Sequence, residues 1–334
     1  MNISKLAKVV RFNEVGGPEV LTLEQIEIAA PAPAEVRLQV KAIGVNRIDA
    51  VFRMGFFEPP VFPSKIGFEA AGVVESVGSE VKDLKAGDLV SVVPGFSNRD
   101  YGAYGELILV PAYAVQKYPE NLSFEEAASL WTSFLAVYGM LVDRANLQAG
   151  QSVVINAASS GAGLAAIQMT NLLGGVSIAL TTSEAKKAAL LEAGAQHVIV
   201  TGAEDFSEQV LALTGGKGAN VILDAVGGSQ FAKLVGAAAE KAKVMAYGVL
   251  SNDPGTYPAA GVVFKMITVE GYNMADLLMD PVKAQAGIEF VKDGVRSGKL
   301  KPRVGKSFRL EDAVESHCYL DSNQHFGKVV LSVG

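Results

Sequence analysis

Residues 152–183 read SVVINAASSGAGLAAIQMTNLLGGVSIALTTS, and this whole stretch contains no charged side chain. A β-rich run at 153–155 leads into a turn of small residues at 158–163. An apolar helical segment follows, and a second β-rich run begins at Val176. The order strand, tight turn, helix and strand is half of a dinucleotide-binding fold. The stretch therefore predicts a Rossmann-type sheet and a nucleotide cofactor.

Long uncharged stretches also occur in membrane helices, which need about 20 predominantly apolar residues. Polar residues and glycines interrupt every such window here, among them Asn156, Gln168 and Asn171, so we expect buried parallel strands instead. A net charge of −6 over 334 residues, without basic clusters, argues against nucleic acid and anionic membranes as partners. The single cysteine, Cys318, and a start without an apolar leader predict a soluble, cytoplasmic protein.

Beyond this stretch, strands and helices keep alternating. The predicted strands are 197–200, 221–226, 243–247 and 262–270. The alternation predicts an α/β protein with a doubly wound parallel sheet. In the first third, short β-rich runs separated by glycines alternate apolar and polar residues, which predicts a mostly antiparallel β domain. We place the Rossmann domain at residues 125–273 and the β domain at 1–124 and 274–334.

Short motifs are spread over nearly the whole chain. They are GVNRID at 44–49, GFEAAGVV at 67–74, VKDLKAGDLV at 81–90, GAYGE at 102–106, LEAGA at 191–195, DAVGG at 224–228 and GKLKP at 298–302. Each is weak alone, but in this order the set resembles the medium-chain dehydrogenase/reductase superfamily, and within it the zinc-independent quinone oxidoreductases. The resemblance implies a GroES-like catalytic domain, a Rossmann domain in the middle of the chain and an active-site cleft between them.

The glycine-rich turn departs from the pattern of the quinone reductases. That pattern has an alanine, a glycine three residues later and another glycine after three more, whereas this chain has Ala157, Ser160 and Gly163. Gly163 still allows a close backbone approach to a pyrophosphate, and Ser160 can either bond or crowd it. The alternative is a tight turn without a ligand. The cofactor contacts assigned to the turn are Ala158, Ser159, Ser160, Gly161, Ala162 and Gly163.

The end of the second strand predicts the choice of cofactor. An acidic residue there accepts from the ribose 2′-hydroxyl of NAD, but this chain has Thr-Thr-Ser at 181–183, followed by two lysines. Hydroxyl and ammonium groups suit a 2′-phosphate, so we expect NADP(H). The alternative is that both lysines only solvate a helical turn, and Glu184 is a mild objection. The further cofactor contacts assigned are Thr132, Thr182, Ser183, Lys186, Lys187, Tyr247 and Gly248.

Zinc-dependent members of the superfamily carry cysteine where Asn46 stands and histidine where Phe68 stands. A catalytic zinc needs three side-chain ligands. The histidines and the cysteine of this chain are His197, His317, His325 and Cys318. None is grouped with either position, and His317 and Cys318 fall together on a predicted helix, so we predict no metal. Without a Lewis acid the acceptor must take hydride easily, which predicts a quinone or a C=C bond conjugated to a carbonyl as substrate.

Asn46, Asp49 and Tyr138 are the candidate catalytic residues. Tyr138 can donate a hydrogen bond or a proton to the acceptor oxygen, although Ala136 replaces the threonine of the family's Thr-x-Tyr pattern. The alternatives are that Tyr138 packs with a satisfied hydroxyl, that Asp49 orients a loop and that Asn46 caps a turn.

Two other functions stay open at this point. One is a 2-enoyl-thioester reductase, which shares fold, cofactor and hydride chemistry with the quinone reductases. The other is an NADPH-binding structural or regulatory protein without turnover. The predicted strand 262–270 ends the Rossmann sheet, and because an unpaired edge is a liability we expect a homodimer.

Overall fold

The structure is a computed structural model that describes residues 4–202 and 205–334. The chain divides into two compact units, Met1–Thr132 with Lys301–Gly334, and Ser133–Leu300. Both boundaries lie later than the predicted ends of the Rossmann domain at 125 and 273. The first shifts because Glu69 accepts the backbone N–H groups of residues 131 and 132, which ties them to the first unit. The second shifts because the helix Pro281–Arg296 packs against Tyr138 within the second unit.

Strands alternate with helices through the middle of the chain and follow one another closely at its start. The strands are β1 (Lys5–Phe12), β2 (Thr22–Ile28), β3 (Glu35–Val45), β4 (Ser64–Lys65), β5 (Glu69–Val77), β6 (Leu89–Val92), β7 (Leu107–Pro111), β8 (Val115–Gln116), β9 (Ser152–Ile155), β10 (Val176–Thr181), β11 (His197–Val200), β12 (Ala219–Asp224), β13 (Ala238–Ala246), β14 (Thr268–Gly271), β15 (Val304–Arg309) and β16 (Lys328–Ser332).

The helices are mostly short. The α-helices are α1 (Arg47–Arg53), α2 (Phe124–Ala127), α3 (Trp131–Tyr138), α4 (Gly161–Leu172), α5 (Lys187–Glu192), α6 (Phe206–Leu213), α7 (Gln230–Ala237), α8 (Ala259–Phe264), α9 (Met274–Leu278), α10 (Pro281–Arg296) and α11 (Ala313–Asp321). A π-helical turn, Gly139–Arg144, continues α3. Among the helices of the two described ranges, none is both long enough and apolar enough to cross a bilayer.

The first unit is built on a sheet of order β15-β16-β3-β5-β6-β8, with β7 also paired to β3. Its pairs are antiparallel apart from the parallel pair β15 and β16. The central strand β3 buries Val36, Leu38 and Val40 on one face, which is the period of two that the sequence predicts. A smaller sheet of order β2-β1-β4 adjoins it. The predicted mostly antiparallel β domain is confirmed.

The second unit contains a parallel sheet of order β11-β10-β9-β12-β13-β14. Counted from β9, this is the strand order 3-2-1-4-5-6 of the dinucleotide-binding fold. Val153, Val154 and Ile155 of β9 are completely buried, because helices cover an inner strand on both faces. The winding reverses between β9 and β12, so ligands are expected at the carboxyl ends of these two strands. The predicted doubly wound α/β fold is confirmed.

The predicted strand 262–270 is wrong in its first half, where the structure has α8. Lys265 follows this helix, and its ammonium donates to backbone carbonyls at the end of α7, including those of Val235 and Gly236. Met266 then adopts a φ of 53°, which turns the chain into β14. A short apolar run cannot by itself distinguish a buried helix from a buried strand.

Candidate functional site

The turn after β9 is held by the side chain of Asn156. Its Oδ1 accepts the backbone N–H of Ala157 at 3.0 Å, and its Nδ2 donates to Asp224 Oδ1, also at 3.0 Å. Asp224 ends β12, so this bond joins the two strand ends at which the winding reverses. Ala157 adopts a φ of 52° and redirects the chain toward α4. Sequence reasoning missed both polar residues: Asn156 directly follows the predicted run 153–155, whereas Asp224 falls inside the predicted strand 221–226, which in the structure ends at this residue.

Ser160 is the N-cap of α4. Its hydroxyl accepts the N–H of Gly163 at 3.0 Å, a role for which serine is well suited. The serine that departs from the family pattern therefore stabilises the start of the helix. A Cβ on Gly163 would lie 2.5 Å from the carbonyl oxygen of Ala158 and 2.6 Å from that of Ala157. Glycine is required here because the helix rests directly on the backbone of the turn.

Lys186 reaches the same turn from the segment after β10. Its ammonium donates to Ser159 Oγ at 3.1 Å, and partial burial lowers its pKa. Lys187 points elsewhere, since its ammonium lies 4.0 Å from Glu184 and both side chains are exposed. Ser183 donates its backbone N–H to Oγ1 of the buried Thr181. Of the two predicted phosphate-binding lysines, only Lys186 contacts the turn in this arrangement.

A cavity of about 490 Å³ lies at the ends of β12 and β13, a volume typical of small-molecule sites. Asp224, Gly227, Gly248 and Ser251 are among the residues that line it. Gly248, which follows β13, lies against the backbone just after β12, because a Cβ there would come 2.6 Å from the carbonyl oxygen of Ala225. The neighbouring Tyr247 buries its hydroxyl without a hydrogen-bond partner among the described residues. Burial, followed by the charge of Asp224, raises the pKa of this tyrosine.

These features fit a dinucleotide cofactor. The second unit offers a helix N-terminus on a turn without room for a side chain at Gly163, an ammonium beside it, and a cavity at the carboxyl edge of the sheet. The buried, unpaired hydroxyl of Tyr247 is a polar group of the kind that a ligand satisfies.

The first unit contains a buried polar group formed by Asn46, Glu69 and Lys328, which we call the Lys328 cluster. The ammonium of Lys328 donates to Asn46 Oδ1 and to Glu69 Oε2, the latter at 2.7 Å. Glu69 is fully buried, and its Oε1 accepts the N–H groups of Trp131 at 2.7 Å and Thr132 at 3.1 Å. One carboxylate thus pairs with a buried cation and caps the start of α3.

Two of the three predicted catalytic residues lie together. Asp49 Oδ2 accepts the backbone N–H of Asn46 at 2.8 Å in the first turn of α1. Tyr138 belongs to the second unit, where its ring packs 5.2 Å from that of Phe290 and burial raises its pKa. Thr132, a predicted cofactor contact, belongs to the first unit, and within the described chain its buried hydroxyl has no partner. The catalytic roles stay predictions.

A series of hydrogen bonds connects Asp49 to three buried residues that sequence reasoning missed. The hydroxyl of Tyr104 donates to Asp49 Oδ2 at 3.0 Å and lies 3.2 Å from His317 Nε2. The guanidinium of Arg53 donates to His317 Nδ1 at 2.9 Å. Burial raises the pKa of Asp49 to about 7 and lowers that of His317 to about 3.

The two positions that carry zinc ligands in metal-dependent relatives are both engaged in other contacts. Asn46 accepts from Lys328, and Phe68 is buried against the rings of Phe57 and Phe96. In the part of the chain that the structure describes, no three His, Cys, Asp or Glu side chains gather into a group that could hold a metal.

Comparison with known proteins identifies the family. An alcohol dehydrogenase GroES-like domain matches residues 32–120, and a zinc-binding dehydrogenase domain matches residues 193–331. A quinone oxidoreductase of Pseudomonas aeruginosa is 32% identical over 333 residues, which cover 98% of this chain and 99% of that protein.

Solved structures agree with this relationship. A crystal structure of an NAD-dependent alcohol dehydrogenase has a TM-score of 0.91 and 33% identity, and the match covers 98% of this chain and 100% of the other. The Escherichia coli quinone oxidoreductase complexed with NADPH has a TM-score of 0.89 and 30% identity, with coverage of 97% and 99%. The chain therefore belongs to the medium-chain dehydrogenase/reductase superfamily, in its quinone oxidoreductase-like branch.

Proposed function

We propose that this chain is an NADPH-dependent reductase that transfers hydride to quinones or α,β-unsaturated carbonyl compounds without a metal. The contact between Lys186 and Ser159 carries the proposal, because it holds a cation between the end of β10 and the turn after β9, where it would favour the 2′-phosphate of NADPH. When bound, NADPH supplies the hydride. The oxidoreductase activity named for the relatives supports the same reaction class.

The cofactor would be held mainly by the second unit. The turn at 158–163 would take the pyrophosphate through backbone N–H groups at the start of α4, and Lys186 would take the 2′-phosphate. Gly248 and Tyr247 would lie beside the cavity at the ends of β12 and β13. One relative is named for NADPH and another for NAD. The choice between the two is therefore the first point to test.

The metal-free part of the proposal rests on the chemistry of two side chains, those of Asn46 and Phe68. A carboxamide and a phenyl ring stand at the two positions where zinc-dependent relatives carry ligands, and neither is a usual zinc ligand. The amide oxygen of Asn46 already accepts from the ammonium of Lys328. Quinones and enones delocalise the negative charge that hydride adds, so they need no Lewis acid of the kind that zinc provides.

One assay separates the candidate functions: NADPH oxidation is followed by absorbance with quinones, enones and enoyl-CoA esters. We expect turnover with quinones or enones, and faster turnover with NADPH than with NADH. Turnover with enoyl-CoA alone would replace the proposal by the thioester reductase. Tight NADPH binding without turnover would leave a non-catalytic binding protein. Stoichiometric zinc in the purified protein, with activity lost on chelation, would refute the metal-free mechanism.

We also propose a homodimer paired through β14. This strand ends the parallel sheet, and its Val269 is 39% exposed. Phe264, 82% exposed, lies just before it in sequence. A second copy of the chain would pair with the open edge. Analytical ultracentrifugation should show a dimer for the wild type and a monomer for Val269→Lys, while Val282→Lys on α10 stays dimeric; a monomeric wild type would contradict the proposal.

A further inference from the structure

Arg53, His317 and Tyr104 are almost completely buried, and we call these three residues the donor chain. A guanidinium has only donors, so His317 Nδ1 must accept from Arg53. A neutral histidine that accepts at Nδ1 carries its proton at Nε2. The buried arginine therefore determines the tautomer of His317.

The same reasoning sets the direction of the next two bonds. His317 Nε2 donates to the oxygen of Tyr104, and the hydroxyl of Tyr104 then donates to Asp49 Oδ2. Burial lowers the pKa of His317 to about 3, while burial and the charge of Asp49 raise that of Tyr104. Both groups are therefore neutral near pH 7. The donor chain cannot pass a proton along, because Arg53 does not deprotonate and cannot replace a proton that His317 gives away.

The two oxygens of Asp49 are left in different situations. Oδ2 accepts from the hydroxyl of Tyr104 and from the backbone N–H of Asn46. Oδ1 is buried and has no hydrogen-bond partner among residues 4–202 and 205–334. The charged groups that act on Asp49 are Lys328, which favours the carboxylate, and Glu69, which opposes it.

We propose that the donor chain positions Asp49. It holds Oδ2 as an acceptor, so that Oδ1 is the oxygen that binds and releases the proton. Through Asp49 it also holds the backbone at Asn46 and sets the charge beside the Lys328 cluster. Only the consequences for turnover rest on the proposed reductase function. The titration of Asp49 does not depend on it.

The titration can be measured without substrate. Infrared difference spectra between the wild type and Asp49→Asn should show one protonated carboxyl that is lost as the pH rises through about 7. Tyr104→Phe removes a hydrogen bond that favours the carboxylate, so its midpoint should rise by about one pH unit. Tyr101→Phe is the matched control, because the Tyr101 hydroxyl donates to Glu35 instead. An unchanged midpoint in Tyr104→Phe would overturn the proposal.

Two substitutions of His317 test the direction of the bonds. His317→Gln keeps an N–H donor within reach of Tyr104, whereas His317→Met removes it. We expect the midpoint of Asp49 to rise in His317→Met, as in Tyr104→Phe, and to return toward the wild-type value in His317→Gln. If both variants gave the same midpoint, the donor role of His317 would be refuted. Circular dichroism confirms that each variant is folded.

The pH profile of kcat tests whether this positioning matters for the reaction. In Tyr104→Phe the limb that belongs to Asp49 should move by the same amount as the infrared midpoint, with the KM for NADPH unchanged. A profile that does not move would overturn the positioning role. A chain that turns over no acceptor would refute the proposed function, while the infrared midpoints would still decide whether the donor chain positions Asp49.

Discussion

The two units build their polar groups in opposite ways. In the second unit one contiguous segment, residues 156–163, forms a turn that its own side chains Asn156 and Ser160 hold to the backbone and that requires the absence of a side chain at Gly163. In the first unit the Lys328 cluster joins side chains that are far apart in sequence, such as Glu69 and Lys328. A contiguous turn leaves a readable motif, whereas a dispersed cluster leaves isolated polar residues. The turn depends on the absence of a side chain at Gly163, whereas the Lys328 cluster depends on the presence of all three of its side chains.

Lys328→Met should give the largest effect, because it leaves the buried carboxylate of Glu69 without its cation. Removing one partner of a buried ion pair costs about 3–5 kcal/mol of unfolding free energy, and both partners here are at most 6% exposed. Urea denaturation measures the change.

Lys8→Met is the matched control for this substitution. Lys8 pairs with Glu311 at 3.2 Å, but both side chains are more than 40% exposed, so the loss should stay below about 1 kcal/mol. If Lys328→Met and Lys8→Met lost the same unfolding free energy, the stability of the first unit would not depend on the buried ion pair between Lys328 and Glu69.

Asp49 and His317 should contribute with opposite signs to the pH dependence of the unfolding free energy. The pKa of Asp49 is raised to about 7, so its contribution is greatest below about pH 4 and is lost as the pH rises to 7. The pKa of His317 is lowered to about 3, so its contribution is full above about pH 6.5 and is lost as the pH falls to 3. In the wild type the two trends offset each other between about pH 4 and 6.5.

Replacing one of the two residues, Asp49 or His317, should leave the pH trend of the other visible in the unfolding free energy. Relative to the wild type, the unfolding free energy of Asp49→Asn should rise by about 3 kcal/mol more between pH 4 and 6.5. That of His317→Gln should fall by a similar amount. Urea denaturation at several pH values gives the curves, and parallel curves for all three proteins would show that neither group is perturbed as described.

Gly163→Ala tests the second unit by adding a single methyl group. The new Cβ would overlap the carbonyl oxygens of Ala157 and Ala158, so α4 must move off the turn at a cost of about 1–3 kcal/mol. We expect the Kd for NADPH, measured by calorimetry, to rise at least tenfold.

Gly236→Ala in α7 provides the control for that experiment. The nearest atoms to its Cβ would lie 3.4 Å away, in ordinary contact, so NADPH binding should be unchanged. An equal loss of NADPH affinity in Gly163→Ala and Gly236→Ala would indicate a general effect of replacing glycine by alanine, and not a requirement for a bare backbone at Gly163.

The same contrast explains how far the sequence could predict the molecule. The glycine-rich turn and the parallel sheet follow from local pattern, because the residues of the turn are contiguous and each inner strand has its own apolar run. The helix that carries His317 was also expected, and α11 confirms it. Its partners could not be found, since Arg53 and Tyr104 lie 264 and 213 residues away in sequence. Only the folded sheet of the first unit brings such positions together.

The two lysines that follow β10 should differ in their effect on cofactor binding. Lys186→Ala removes the ammonium that contacts Ser159, and a single charge-assisted contact to phosphate is worth about 1.5–3 kcal/mol. The KM for NADPH should therefore rise about tenfold or more while that for NADH stays the same. Lys187→Ala should change neither, because that side chain is exposed and lies toward Glu184. If Lys186→Ala and Lys187→Ala raised the KM for NADPH equally, the positive charge of the whole segment, and not the contact of Lys186, would favour NADPH. A rise for both cofactors in Lys186→Ala would instead assign this lysine to the pyrophosphate, which NADH and NADPH share.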